Sequence, residues 1–226
     1  VLFISSVFAG KYKHFVEYKA VDVAKALGVG FMGSFLYYLL LYFAYAHAKG
    51  LEVLTLQYTW PIFIVIFSII FLKEKLTTKS VVASALGFAG VLVVLTKGNF
   101  LDIYLGNMTT NMIVLLAAAV FGLFSVLSKK TNYEPFTATT LFFLSASICS
   151  FISMFYFSTF VFPPVSALVP ILINGVLING LSYIFWLKAL SHAKASFVAP
   201  FVFLTPVLAA VLVILFFHEI FLPVYF

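Results

Sequence analysis

The sequence predicts an all-α polytopic membrane protein built as two inverted five-helix repeats, ten helices when complete. Three observations carry that expectation. Apolar residues make up 64% of the 226 and charged residues only 9%, where a soluble domain carries about 25% charged residues. Apolar runs of around 20 residues recur along the chain, the length that spans a hydrocarbon core of ~30 Å. Finally, the tripeptide His-Ala-Lys stands at His47–Lys49 and returns at His192–Lys194 with other residues in register.

Seven complete runs lie at about 24–46, 51–72, 80–97, 111–128, 137–160, 167–188 and 194–217. Each is expected to be helical, because in lipid every backbone amide must be satisfied within its own segment. Residues 1–9, VLFISSVFA, read as the tail of a further span with no basic stretch before it, so they are not assigned as a signal peptide. The chain is therefore expected to lack, or hold only part of, its first and last helices. Cys149 lies in an apolar run and reads as a small buried hydrophobe.

Lysines orient the spans. Taking connections alternately, one set holds Lys11, Lys13, Lys19 and Lys25, then Lys73, Lys75 and Lys79, then Lys129 and Lys130, then Lys188 and Lys194. The other set holds only Lys49 and Lys97. Such a bias places the lysine-rich connections in the cytoplasm and the protein in the plasma (bacterial inner) membrane. The net charge of +6 is spread between apolar runs rather than gathered in a patch, so no nucleic-acid partner is expected.

The repeat follows from the tripeptide. A shift of 145 residues brings His47 onto His192, and it also brings Tyr38 onto Tyr183, Ala44 onto Ala189, Pro61 onto Pro206 and Glu74 onto Glu219. Tyr58 falls on Phe203, an aromatic three residues before the proline in both copies. From the start of one copy to the start of its counterpart the chain makes five crossings. Five is odd, so the copies run in opposite directions, the inverted topology of many transporters. Glu74 and Glu219 then end matching helices on opposite faces, where they read as interfacial residues or symmetric gate elements.

Several segments carry a resemblance. LQYTWPIFIVIFSIIFLKEKLT (56–77) with ALGFAGVLVVL (85–95), AAAVFGLFSVLSKK (117–130), and LSYIFWLKALSHAKASFVAPFVFLTPVLAAVLVILFFHE (181–219) resemble helices of the EamA-type members of the drug/metabolite transporter superfamily. Tyr58–Pro61 and Phe203–Pro206 lean toward the amino-acid-exporting, YddG-like branch. The resemblance implies a first EamA-type repeat at 1–97, an outer connection at 98–110 and a second repeat at 111–226.

A candidate site lies between the copies of the tripeptide. Pro61 and Pro206 sit near mid-span and donate no amide hydrogen, so the carbonyls of Gln57 and Val202 lose their usual partners. Paired helix breaks of this kind point to a transporter's binding site. Around them stand Tyr38, Tyr42, Gln57, Tyr58 and Trp60 in the first copy, and Asn179, Tyr183, Trp186, Phe203 and Thr205 in the second. Amide and phenol groups can orient a small polar solute while indole and phenyl rings cover its apolar part. The alternative for each aromatic is an interfacial belt or interhelical packing.

What is missing narrows the function. All seven acidic residues lie in connections or at span ends, with no lysine in the middle of a span, and an intramembrane charge would mark a functional site. This favours a neutral or zwitterionic solute over nucleotide sugars or organophosphates. GVGFMG (28–33) has the spacing of a dinucleotide loop but lies inside an apolar run; Gly30 and Ser34 read instead as a small-residue stripe. No metal-ligand spacing, no catalytic residue and no cofactor is expected, because no acid is placed to orient a histidine. The expected activity is export of a small-molecule substrate, most readily an amino acid, by alternating access in the lipid bilayer. The alternatives are a membrane sensor or assembly subunit, or a superfamily exchanger of nucleotide sugars or organophosphates, and nothing in the sequence addresses the oligomer.

Overall fold

The computed structural model describes residues 18–102 and 105–217. The run at 1–9, Lys11, Lys13 and Glu219 lie outside the described residues. Among the described residues the chain is all-α, with seven helices long and apolar enough to cross a membrane. They run Ala20–His47, Gly50–Leu72, Thr78–Thr96, Met108–Thr131, Pro135–Phe157, Val165–His192 and Ala195–Leu212. The protein is thus a multi-pass membrane protein. The fifth span stops short of the predicted residue 160, because Ser158 is fully extended (φ −151°, ψ 177°).

Four of these spans are not uniform helices. The first comprises α1 (Ala20–Gly30), a π-helical stretch at Phe31–Leu36, and α2 (Tyr37–His47). The second comprises α3 (Gly50–Gln57) and α4 (Trp60–Leu72), separated by a turn. Next come α5 (Thr78–Thr96), α6 (Met108–Thr131) and α7 (Pro135–Phe157). The sixth span is α8 (Val165–Ile173), a π-helical stretch at Asn174–Leu181, and α9 (Ser182–His192). The last comprises α10 (Ala195–Val198), a 3-10 stretch at Ala199–Phe203, and α11 (Leu204–Phe217).

The duplication is visible in these irregularities. Shifted by 145, Ala20–His47 falls on Val165–His192 residue for residue, and Tyr37–His47 falls on Ser182–His192. Both copies therefore carry a π-helical stretch at the same place. His-Ala-Lys has a structural task as well. The Nδ1 of His47 lies 2.7 Å from the Phe43 carbonyl and that of His192 lies 2.8 Å from the Lys188 carbonyl. A carbonyl only accepts, so Nδ1 is the donor in both, and it adds a side-chain donor to a carbonyl in the last turn of each helix. Lys49 and Lys194 are extended (ψ 138° and 137°) and open the following helices. The tripeptide is a compact stop-and-restart for a helical hairpin.

Other helix ends are conventional. The Thr77 hydroxyl accepts from the Ser80 amide at the start of α5, and the Glu134 carboxylate accepts from the Thr137 amide (2.7 Å) at the start of α7. Lys73 and Lys97 end α4 and α5 in the left-handed region (φ 54° and 51°), where a cation also complements the helix dipole.

The chain divides into two compact units. In the unit formed by residues up to 36 and 127–192, α7 is the central element, with α1, the first π stretch and α9 packed on it. Gly30 is the point of closest approach: a Cβ there would lie 2.4 Å from the Phe142 Cα. Small residues let membrane helices come this close and gain dispersion contacts, since lipid offers no hydrophobic drive between helices. In the unit formed by residues 37–126 and from 193 on, α5 packs on the 3-10 stretch and α11, and α10 packs on α4. Gly87 admits the Phe203 ring and Gly122 admits Phe63, where added Cβ atoms would lie 2.5 and 2.7 Å away.

Candidate functional site

The second span breaks at Tyr58–Thr59. The Tyr58 amide still donates to the Leu54 carbonyl (3.2 Å), but the Thr59 amide reaches back only three residues to Leu56 (3.1 Å). The Thr59 hydroxyl donates to the same Leu56 carbonyl at 2.6 Å, so one oxygen serves two donors. α4 then restarts with Pro61 in its first turn, where a missing N–H costs nothing because that amide has no intrahelical partner. In the second copy the equivalent break is gentler. The tighter 3-10 stretch runs through Phe203, and Pro206 enters in the first turn of α11.

At the break the Gln57 side chain is held at both ends. Its Nε2 donates to the Tyr37 hydroxyl at 2.7 Å, and its Oε1 accepts from the Tyr45 hydroxyl at 3.2 Å. Tyr37 is buried, so this amide supplies the partner its phenol needs. The Phe121 ring packs against both Tyr37 (4.7 Å between centroids) and Trp60 (4.9 Å, edge-on), which fixes the indole beside the amide. A cavity of about 190 Å³ opens here, lined by Leu54, Gln57, Tyr58, Trp60, Val202 and Thr205. At ~30 Å³ per water it holds about six waters, the size of a small metabolite. An amide, a phenol and a hydroxyl face it together with an indole and two aliphatic chains. No charged residue is among its lining residues in the described chain.

Of the predicted residues, Gln57, Tyr58, Trp60 and Thr205 come together at this cavity. Tyr38 meets Tyr37 edge-on (4.9 Å) and Tyr42 at a tilt (5.9 Å), and Tyr42 is 66% exposed on the apolar surface. Phe203 is buried against Gly87 and Phe88 as a packing residue. Asn179, Tyr183 and Trp186 belong to the other unit. There the Tyr183 hydroxyl donates to the Gly33 carbonyl at 3.2 Å and its ring meets Phe143 edge-on, and Asn179 donates to Asn174.

Three participants were not foreseen: Tyr37, Tyr45 and Phe121. Tyr37, Leu41 and Tyr45 follow each other at four-residue spacing and so share a face of α2, a signal equal in strength to the one that selected Tyr38 and Tyr42. Glu52 is another surprise. It sits in the first turn of α3, as an acid at a span end should, yet it is only 4% exposed.

Comparison with known proteins agrees with this architecture. A curated relative from Archaeoglobus fulgidus, described as an uncharacterized transporter, is 32% identical over 122 residues, which is 53% of this chain and 42% of that protein. The match thus spans less than half the relative's length. A protein known from a crystal structure shares the fold, with a TM-score of 0.77 and 20% identity over 88% of this chain and 69% of the other. The description "EamA-like transporter family" fits residues 1–96 and 108–224, nearly the whole sequence. With its duplicated, interrupted spans and its match from end to end, the chain belongs to the EamA-like transporter family.

Proposed function

We propose that the protein exports small neutral or zwitterionic metabolites, amino acids foremost, across the plasma membrane by alternating access. The observation that carries the reading is the uncharged cavity at the Tyr58–Thr59 break, with Gln57 clamped between Tyr37 and Tyr45. In this proposal Gln57, Tyr58 and Thr205 offer hydrogen bonds to the solute and Trp60 covers its apolar part. Tyr37 and Tyr45 act as positioning residues that hold the Gln57 amide in one orientation. Membership of a transporter family supports the activity, and the absence of lysine from the lining supports a solute without phosphate. The two repeats, 1–97 and 111–226 joined by 98–110, would rock against each other, with the lysine-rich connections in the cytoplasm.

The test is efflux of a panel of labelled amino acids from proteoliposomes carrying the full-length protein. Transport of at least one member, abolished by Trp60→Ala, is the expected result. Transport of nucleotide sugars or phosphate esters alone would overturn the solute class. No flux of any solute, from protein that is folded and correctly inserted, would favour a sensor or assembly subunit.

A further inference from the structure

A second and larger cavity, about 540 Å³, lies where the connection between α4 and α5 meets the start of α10. Its two halves differ in chemistry. Lys75, Lys79 and Lys194 stand at one side, all three exposed. No ion pair involves these three among the described residues. The other side is an apolar wall of Ala83, Phe197, Pro200 and Phe201. Phe197 and Phe201 pack edge-on at 5.4 Å, and both remain more than half exposed.

Two lining residues, Ser80 and Ser196, are held by hydrogen bonds. The Glu74 carboxylate accepts from the amides of Ala195 (2.9 Å) and Ser196 (3.0 Å) and from the Ser196 hydroxyl (2.6 Å). The Ser80 hydroxyl donates to the Ser196 carbonyl. The Glu74 carboxylate therefore serves these three donors and leaves the lysines to an outside anion.

All three lysines belong to the lysine-rich set of connections, at the ends of membrane spans. A position level with the head groups, with cations above and exposed phenyl rings below, matches one molecule in both halves: a phosphate needs the ammonium groups and an acyl chain needs the rings. A free anion in water would have no use for the wall. We propose that this cavity is a binding site for an anionic phospholipid of the leaflet on the lysine-rich side. The site is separate from the cavity at Gln57 and does not depend on which solute is carried.

The experiment places the full chain in nanodiscs of phosphatidylcholine doped with phosphatidylglycerol and measures co-retained lipid by native mass spectrometry. The wild-type protein should retain phosphatidylglycerol in preference to phosphatidylcholine. Each juxtamembrane lysine contributes about fivefold to binding an anionic surface, so the combined Lys75→Gln, Lys79→Gln, Lys194→Gln variant should lose the preference on the order of 100-fold. The triple arginine variant should keep it. The single glutamine variants, each costing about fivefold, take over if the triple variant does not purify. Unchanged retention in the glutamine variants would overturn the proposal, as would equal retention of phosphatidylcholine. Displacement of the lipid by millimolar inorganic phosphate would reassign the cavity to a soluble anion.

Discussion

The two copies of the repeat share a backbone and differ in chemistry. Both have a 28-residue span with a π-helical stretch at the same place, the same His-Ala-Lys hairpin, and a disturbed helix before the proline. Yet the first copy places Tyr37, Tyr45 and Gln57 where the second has Ser182, Leu190 and Val202. One copy thus builds a polar clamp and the other, at the same backbone positions, does not. Duplication supplied the scaffold, and divergence of side chains at a few positions supplied the clamp.

Exchanging positions across the copies tests this directly. The largest effect should come from Gln57→Leu, which strips the buried Tyr37 phenol of its partner and removes an amide from the cavity. Transport should fall on the order of 100-fold, equivalent to about 2.7 kcal/mol, whereas Ser182→Ala, at the position that matches Tyr37 and outside the cavity lining, should leave flux within about twofold of wild type. Equal losses in initial-rate efflux assays would mean that the copies contribute alike.

Packing gives the next contrast. Gly30 and Gly175 match across the repeat, but a Cβ at Gly30 would collide with the Phe142 backbone, while at Gly175 nothing lies within 4 Å. Gly30→Ala should cost about 1–3 kcal/mol, and Gly175→Ala should be neutral or gain up to about 1 kcal/mol from better helix propensity. Thermal unfolding of detergent-solubilised protein, followed by size-exclusion chromatography, separates the two. A tolerated Gly30→Ala would show that α1 and α7 do not touch at this point.

Smaller effects should follow within α2. Tyr45→Phe removes one bond to the Gln57 amide and should weaken solute affinity by about 1 kcal/mol, read as a rise in KM with little change in maximal rate. Tyr42→Phe should be within about 0.5 kcal/mol of wild type, since Tyr42 faces outward. Loss at Tyr42 but not at Tyr45 would reinstate the face of α2 that the sequence first pointed to. The smallest effect belongs to the hairpins: His47→Ala and His192→Ala should each cost about 0.5–1 kcal/mol of stability. The costs should be alike, because both imidazoles make the same bond to a carbonyl four residues back.

Much was legible before any coordinates. Span positions came through because hydrocarbon thickness sets a length and an apolarity that composition cannot hide. The repeat came through because identity at His-Ala-Lys, Pro61 and Pro206 survives in register. That Gln57, Tyr58, Trp60 and Thr205 lie near one another was legible because they surround those prolines. The face of α2 that meets Gln57 was not legible. α2 reads YYLLLYFAYAH, apolar or aromatic on every side, so no polar stripe marks its inward surface.

The sequence alone therefore determined the solvent, the helices, their number in the described chain and the duplication, all properties that follow from composition, length and register. Only the tertiary structure decided which phenols meet Gln57 and which line up outside. The physical reason is that α2 is apolar or aromatic on every side, so the face that turns inward is set by packing against Gln57 and Phe121 and not by a pattern along the helix.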